Sequence, residues 1–133
     1  QIFELVDDLK EDFGMGTILI THDLAVVANS CDRAAIMYAG NIVEKTDIIE
    51  LYDEPLHPYT IGLLNSIPDV DSRSKATLPS IPGEVPDLIN LPEGCNFSPR
   101  CEYAKEECRS VDPPLEEKKA NRFAACIRVS EIN

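Results

Sequence analysis

Of the ten prolines in this chain of 133 residues, only Pro55 and Pro58 precede residue 68. Proline fixes φ and donates no backbone hydrogen bond, so a segment crowded with it cannot run as long helices or central strands. The chain therefore reads as two parts. Helix and strand alternate in residues 1–67, while prolines and cysteines gather in residues 68–133, with the boundary near Ser66 to Asp71. At this length one modest core can be buried, and 44% apolar residues suit a globular protein.

In the first part Ile2, Phe3, Leu5, Val6, Leu9 and Phe13 recur at helical spacing, with Asp7, Asp8, Lys10, Glu11 and Asp12 between them. That spacing predicts an amphipathic helix closed by Gly14. TILIT at 17–21 is an apolar, β-branched run without alternation, as expected of a strand covered on both faces in a parallel sheet. His22 and Asp23 follow, then LAVVANSC as a short helix. RAAIMYAG and NIVEKT read as a hairpin joined at Ala39-Gly40-Asn41, and Asp47 as the cap of a last helix, IIELY. These few elements cannot cover both faces of a parallel sheet, so further strands are expected before Gln1. The chain alone is expected to self-associate through an uncovered edge or apolar face.

Charge excludes some functions. Twelve basic against twenty-four acidic residues give a formal charge of −12, with no Lys/Arg cluster to track a phosphate backbone, so direct nucleic-acid binding is not expected. No apolar run approaches the length that spans a bilayer. The first residues, QIFELVDDLKEDF, carry acids where a secretory signal carries bases, so a cytosolic location is expected.

Cys95, Cys101, Cys108 and Cys126 form the pattern C-x5-C-x6-C-x17-C. Disulfides are disfavoured in a reducing compartment. Buried inert thiols are a fair reading of any one cysteine, and the one adopted for the isolated Cys31. Four thiols in a loop-rich segment with little apolar core point instead to a metal site, and thiolates suit either tetrahedral zinc or an iron–sulfur cluster. Structural zinc sites usually use tighter C-x2-C to C-x4-C knuckles. The longer gaps wrap more naturally around a larger cubane, although they match neither common ferredoxin pattern.

Several stretches carry a resemblance. TILITHDLAVVANSCDRAAIMYAGNIVE, then HPYT at 57–60, IPGEVPDL at 81–88 and GCNFSPRC at 94–101, resemble in order the C-terminal part of ATP-binding subunits of ABC transporters in the dipeptide, oligopeptide and nickel importer family. The resemblance covers essentially the whole chain. It implies an α/β fold: the C-terminal end of a P-loop ATPase core in residues 1–67, and a small cysteine-containing, loop-rich region in residues 68–133. It places His22 at the family's switch histidine, beside the γ-phosphate of ATP. It further implies that Cys95, Cys101, Cys108 and Cys126 hold a [4Fe-4S] cluster, for which a stabilising role is expected because the segment from Leu78 onward has few large apolar residues.

By the same resemblance the parent subunit hydrolyses ATP with Mg. It pairs with a second ATP-binding subunit on the cytoplasmic face of two transmembrane permease subunits, and receives peptide or nickel cargo from an extracytoplasmic solute-binding protein. The chain departs from the family in lacking both the G-x-x-x-x-G-K-[ST] phosphate loop and the signature sequence, so alone it is expected to hydrolyse nothing. LYDEP at 51–55 imitates the strand end that carries the family's Asp-Glu pair. Glu50 interrupts the run before it, and Asp53 and Glu54 read as solvated acids at a helix end. His57 reads as structural, in a fixed turn packed on the core. The competing functional reading is a stand-alone zinc-binding interaction module.

Overall fold

The computed structural model describes residues 2–67 and 80–132. The chain divides into two compact units, Gln1–Asp32 and Arg33–Asn133. Among the described residues no helix is long and apolar enough to cross a membrane.

The first unit holds α1 (Ile2–Phe13) and α2 (Leu24–Ser30). Helix α1 ends where Gly14 turns to φ +63° and the Met15 N–H reaches back to the Lys10 carbonyl at 3.3 Å, a Schellman ending. Its apolar stripe is uncovered, with Ile2, Phe3, Leu5, Leu9 and Phe13 all exposed. The buried strand expected at TILIT does not form: residues 17–21 carry no strand, and Ile18 and Ile20 are 94% and 93% exposed. A strand exists through the ladder bonds it exchanges with a neighbour, and no strand of this unit lies beside it among the described residues. Helix α2 forms as expected, with Asp23 Oδ1 accepting from the Ala25 and Val26 N–H groups at 2.9 and 3.3 Å.

In the second unit β1 (Arg33–Tyr38) and β2 (Asn41–Asp47) make the expected hairpin, with Ala39 and Gly40 both at positive φ in the turn. The sheet continues through residues that sequence periodicity did not assign. Strands β3 (Glu116–Lys119) and β4 (Arg122–Ala124) complete the order β1-β2-β4-β3, and every pairing is antiparallel. The described sheet is thus small and antiparallel, in place of the parallel sheet expected around TILIT. The boundary expected near Ser66 to Asp71 falls largely on residues 68–79, outside those described, while β2 and β4, from either side of it, pair at Glu44 and Ala124.

Helices α3 (Ile48–Asp53) and α4 (Pro58–Asn65) follow β2. Asp47 precedes α3 but does not cap it; its carboxylate instead meets Arg33 Nε at 3.1 Å across the hairpin. LYDEP is a helix end, as expected, although Glu54 is not merely solvated. Arg122 Nη1 reaches Glu50 at 2.8 Å and Glu54 at 2.7 Å, its Nη2 donates to the Glu54 carbonyl, and Lys119 meets Glu54 at 2.5 Å. These bonds fasten the end of α3 to β3 and β4.

The interior is organised by Glu44, fully buried on β2. Its two carboxylate oxygens accept from the Leu56 and His57 N–H groups at 2.7 and 2.8 Å. Leu56 thereby sits against Ala124 and Val129 in the core. HPYT, expected as a turn, starts α4. His57 Nδ1 accepts from the Tyr59 N–H at 3.1 Å, Pro58 takes the first helical position, and the ring also hydrogen-bonds the Ala125 backbone.

His57 is 1% exposed, and burial pushes its pKa from the ordinary 6.5 down to about 4. The unfolded chain therefore binds the proton more readily. Stability from this group is complete above the unfolded value and is lost as pH falls from 6.5 toward 4, by on the order of 3 kcal/mol. Urea unfolding across that range is expected to show this loss in the native sequence and much less of it in His57→Asn; equal slopes for the two would contradict it.

Candidate functional site

Four short backbone pieces of the second unit bring the cysteines together. At Gly94 the chain lies directly on the end of α5 (Glu106–Ser110), where a Cβ would stand 2.4 Å from the Arg109 carbonyl carbon and 2.6 Å from the Cys108 oxygen. This approach lets the Cys95 N–H donate to the Cys108 carbonyl at 2.9 Å. A 3-10 turn at Ser98–Arg100 then returns the chain to Cys101, its entry fixed by the Ser98 N–H on the Cys95 carbonyl at 2.9 Å. Cys126 enters from β4, two residues after Ala124.

Arg100 clamps the neighbouring segment. Its Nε donates to the Pro82 carbonyl at 2.9 Å and its Nη2 to the Ile81 carbonyl at 3.3 Å. Tyr38, Tyr59 and Phe97 pack together beneath, with ring centroids 4.7 to 5.5 Å apart.

Cys95, Cys101, Cys108 and Cys126 line one small pocket, partly open to solvent, with His57 and Arg128 also in its wall. Burial pushes the thiols of Cys95, Cys101 and Cys126 up, Cys101 to about 11, and the neighbouring thiols push in the same direction. Against that, backbone N–H groups are aimed at the sulfurs: Phe97 and Ser98 at Cys95, Tyr103 at Cys101, and Arg128 at Cys126 with N to Sγ at 3.4 Å. Such donors favour the thiolate, the form that binds metal. All five cysteines are free thiols.

Among the described residues no three His, Cys, Asp or Glu side chains stand close enough to hold one metal ion. Neither the expected [4Fe-4S] cluster nor the zinc alternative is shown by this arrangement. His57 is not a ligand either, since the Tyr59 N–H and the Ala125 backbone engage its ring. Cys31 belongs to the other unit, where it ends α2 with its N–H on the Val27 carbonyl. His22 is exposed in the turn before α2, and the chain has no phosphate loop for it to face.

The thiols were legible from sequence; their supports were not. Glu44 looked like one more charge in a hairpin. Gly94 was marked only by its place before Cys95, and Arg128 only by following Cys126 at the offset from which an N–H can reach a sulfur.

The family described as "Oligopeptide/dipeptide transporter, C-terminal region" matches residues 43–108, a span that includes Cys95, Cys101 and Cys108. Among curated proteins, the chain is 46% identical over 131 residues to the oligopeptide transport ATP-binding protein OppD of Escherichia coli, covering 98% of this chain and 38% of that protein. OppD of Salmonella typhimurium is 45% identical over the same shares. A probable peptide ABC transporter ATP-binding protein of Sinorhizobium fredii is also 45% identical, over 99% of this chain and 39% of its own length. The chain thus spans about two fifths of the length of these relatives.

Gly94→Ala is expected to force the Cys95 turn off α5 and to cost about 1–3 kcal/mol, as overpacking against fixed backbone does. Urea unfolding measures the loss, and faster alkylation of Cys95 should accompany it. An unshifted midpoint would show that the close approach is not needed.

Proposed function

This chain belongs to the oligopeptide/dipeptide family of ABC transporter ATP-binding proteins, and on that premise we propose that it joins the end of an ATPase domain to a cysteine-bound [4Fe-4S] site. The observation that carries the site is the convergence of four thiols on one pocket, with backbone N–H groups aimed at three of the sulfurs. The bridging sulfides and four irons of a cubane hold its cysteine sulfurs farther apart than a single ion does. Four thiols lining a common pocket are the donor set that such a cluster takes. Arg128 supports the same fit. The residue is nine-tenths buried, it lines the pocket, and its Nε has no hydrogen-bond partner.

When bound, the cluster supplies a rigid four-point crosslink. The chain's residues do the rest: Gly94 and the Cys95 N–H set the distance between the Cys95 turn and α5, and the peptide groups after Cys95, Cys101 and Cys126 favour the thiolate form that a cluster would take. The role is structural, fixing loops that have little apolar core of their own.

In this reading residues 1–67 close the ATPase domain and residues 68–133 form the cysteine region. The whole protein hydrolyses ATP with Mg, paired with a second ATP-binding subunit beneath two membrane-spanning subunits, to import peptides brought by a solute-binding protein. ATP and Mg are held by segments outside this chain. His22 hydrogen-bonds the γ-phosphate there and orients the attacking water, so its place after α1 and TILIT makes it a sensor of the nucleotide state.

Protein purified without oxygen is expected to be brown and to contain about four iron and four sulfide per chain. One zinc without iron, or a protein that stays metal-free through anaerobic reconstitution, would overturn the cluster. In the longer subunit, His22→Ala is expected to slow ATP turnover by about 100-fold or more. Normal turnover in that variant would remove the sensor role.

A further inference from the structure

Arg128 meets the cysteine site through both its backbone and its side chain. Its backbone N–H donates to Cys126 Sγ at 3.4 Å. Its Nη1 donates to the Tyr103 carbonyl at 2.6 Å, and Tyr103 is the residue whose own N–H is aimed at the Cys101 sulfur. One side chain therefore ties the Cys101 turn to the Cys126 turn.

The electrostatics point the same way. The guanidinium is always charged and carries five N–H donors. Here Nη2 meets Glu131 at 2.8 Å, and Nε is buried without a partner. Glu131 lies at the surface on α6 (Val129–Ile132) and is shared with Lys105 at 2.6 Å, so it neutralises Arg128 only in part. The other cation acting on Cys126, Lys118, is engaged with Glu116 at 2.9 Å. Burying a partly neutralised cation is costly unless an anion stands opposite. The pocket wall it shares with four thiols is where that anion belongs.

Resting on the cluster reading above, we propose that Arg128 is the counter-charge and positioning residue of the site: it joins the Cys101 and Cys126 turns and stabilises the negative charge that the thiolate-bound cluster carries. A nearby cation favours the reduced, more negative cluster, so Arg128 raises the reduction potential and Glu131 moderates it.

The test is the midpoint potential of the anaerobically reconstituted chain, followed by its visible spectrum during electrochemical titration. Arg128→Gln is expected to shift the midpoint to more negative values, and Arg128→Lys to shift it less, because the charge stays while the fork that spans Tyr103 and Glu131 is lost. Glu131→Gln is expected to shift it the opposite way, to more positive values. Should Arg128→Gln fail to fold, the surface variant Glu131→Gln decides alone: a positive shift supports the proposal and no shift overturns it. Loaded Arg128→Gln and Glu131→Gln proteins that both keep the original midpoint overturn it as well. A native chain that takes up no cluster is a separate result, and it sinks the cluster reading together with this one.

Discussion

A carboxylate without exposure to water holds the second unit together. Glu44 lies on β2, and its two oxygens take the N–H groups of Leu56 and His57, two successive amides in the connection between α3 and α4. Neither amide has a helix or ladder partner at that point, so the carboxylate satisfies donors that would otherwise be buried bare. Charge-assisted bonds of this kind are the strong ones, and losing the acceptor would strand both donors. From this fixed point Leu56 enters the core and the His57 ring reaches the start of α4 on one side and Ala125 on the other.

The same anchor reaches the cysteines. Glu44 pairs with Ala124 in the sheet, the Ala125 N–H donates to the Val43 carbonyl at 2.8 Å, and Cys126 is the next residue. The hairpin β1-β2 and the last cysteine are thus one or two bonds apart through the sheet, although some eighty residues separate them in sequence. The remaining three thiols are placed by backbone: Cys95 on Cys108 across Gly94, and Cys101 by the 3-10 turn. A region with so small an apolar core depends on such local bonds for its shape.

Local pattern made much of this legible. The caps of α1 and α2, the Ala39-Gly40 hairpin turn, the helix at LYDEP and the four cysteines each follow from residues within a few positions of one another, because capping, turn geometry and thiol chemistry are short-range. TILIT shows where that stops. Its β-branched composition is a strand's, yet a strand also needs neighbours, and the described residues of its unit provide none. Asp47 shows the same limit at the scale of one side chain: a capping residue in a capping position went to Arg33, which the hairpin register had set opposite it.

By itself the sequence determined the kinds of groups available: an apolar helix face, a tight hairpin, a histidine and proline that start a helix, and four thiols spaced too widely for one tight knuckle. Only the tertiary structure decided who meets whom. It paired β2 with β4, buried Glu44 under two amides, laid Gly94 against α5, and turned Arg128 toward both the Cys101 and Cys126 turns. The physical reason is one of range. Propensity and periodicity act over a few residues, whereas burial, register and charge balance are set by segments far apart in the chain that become neighbours only when it folds.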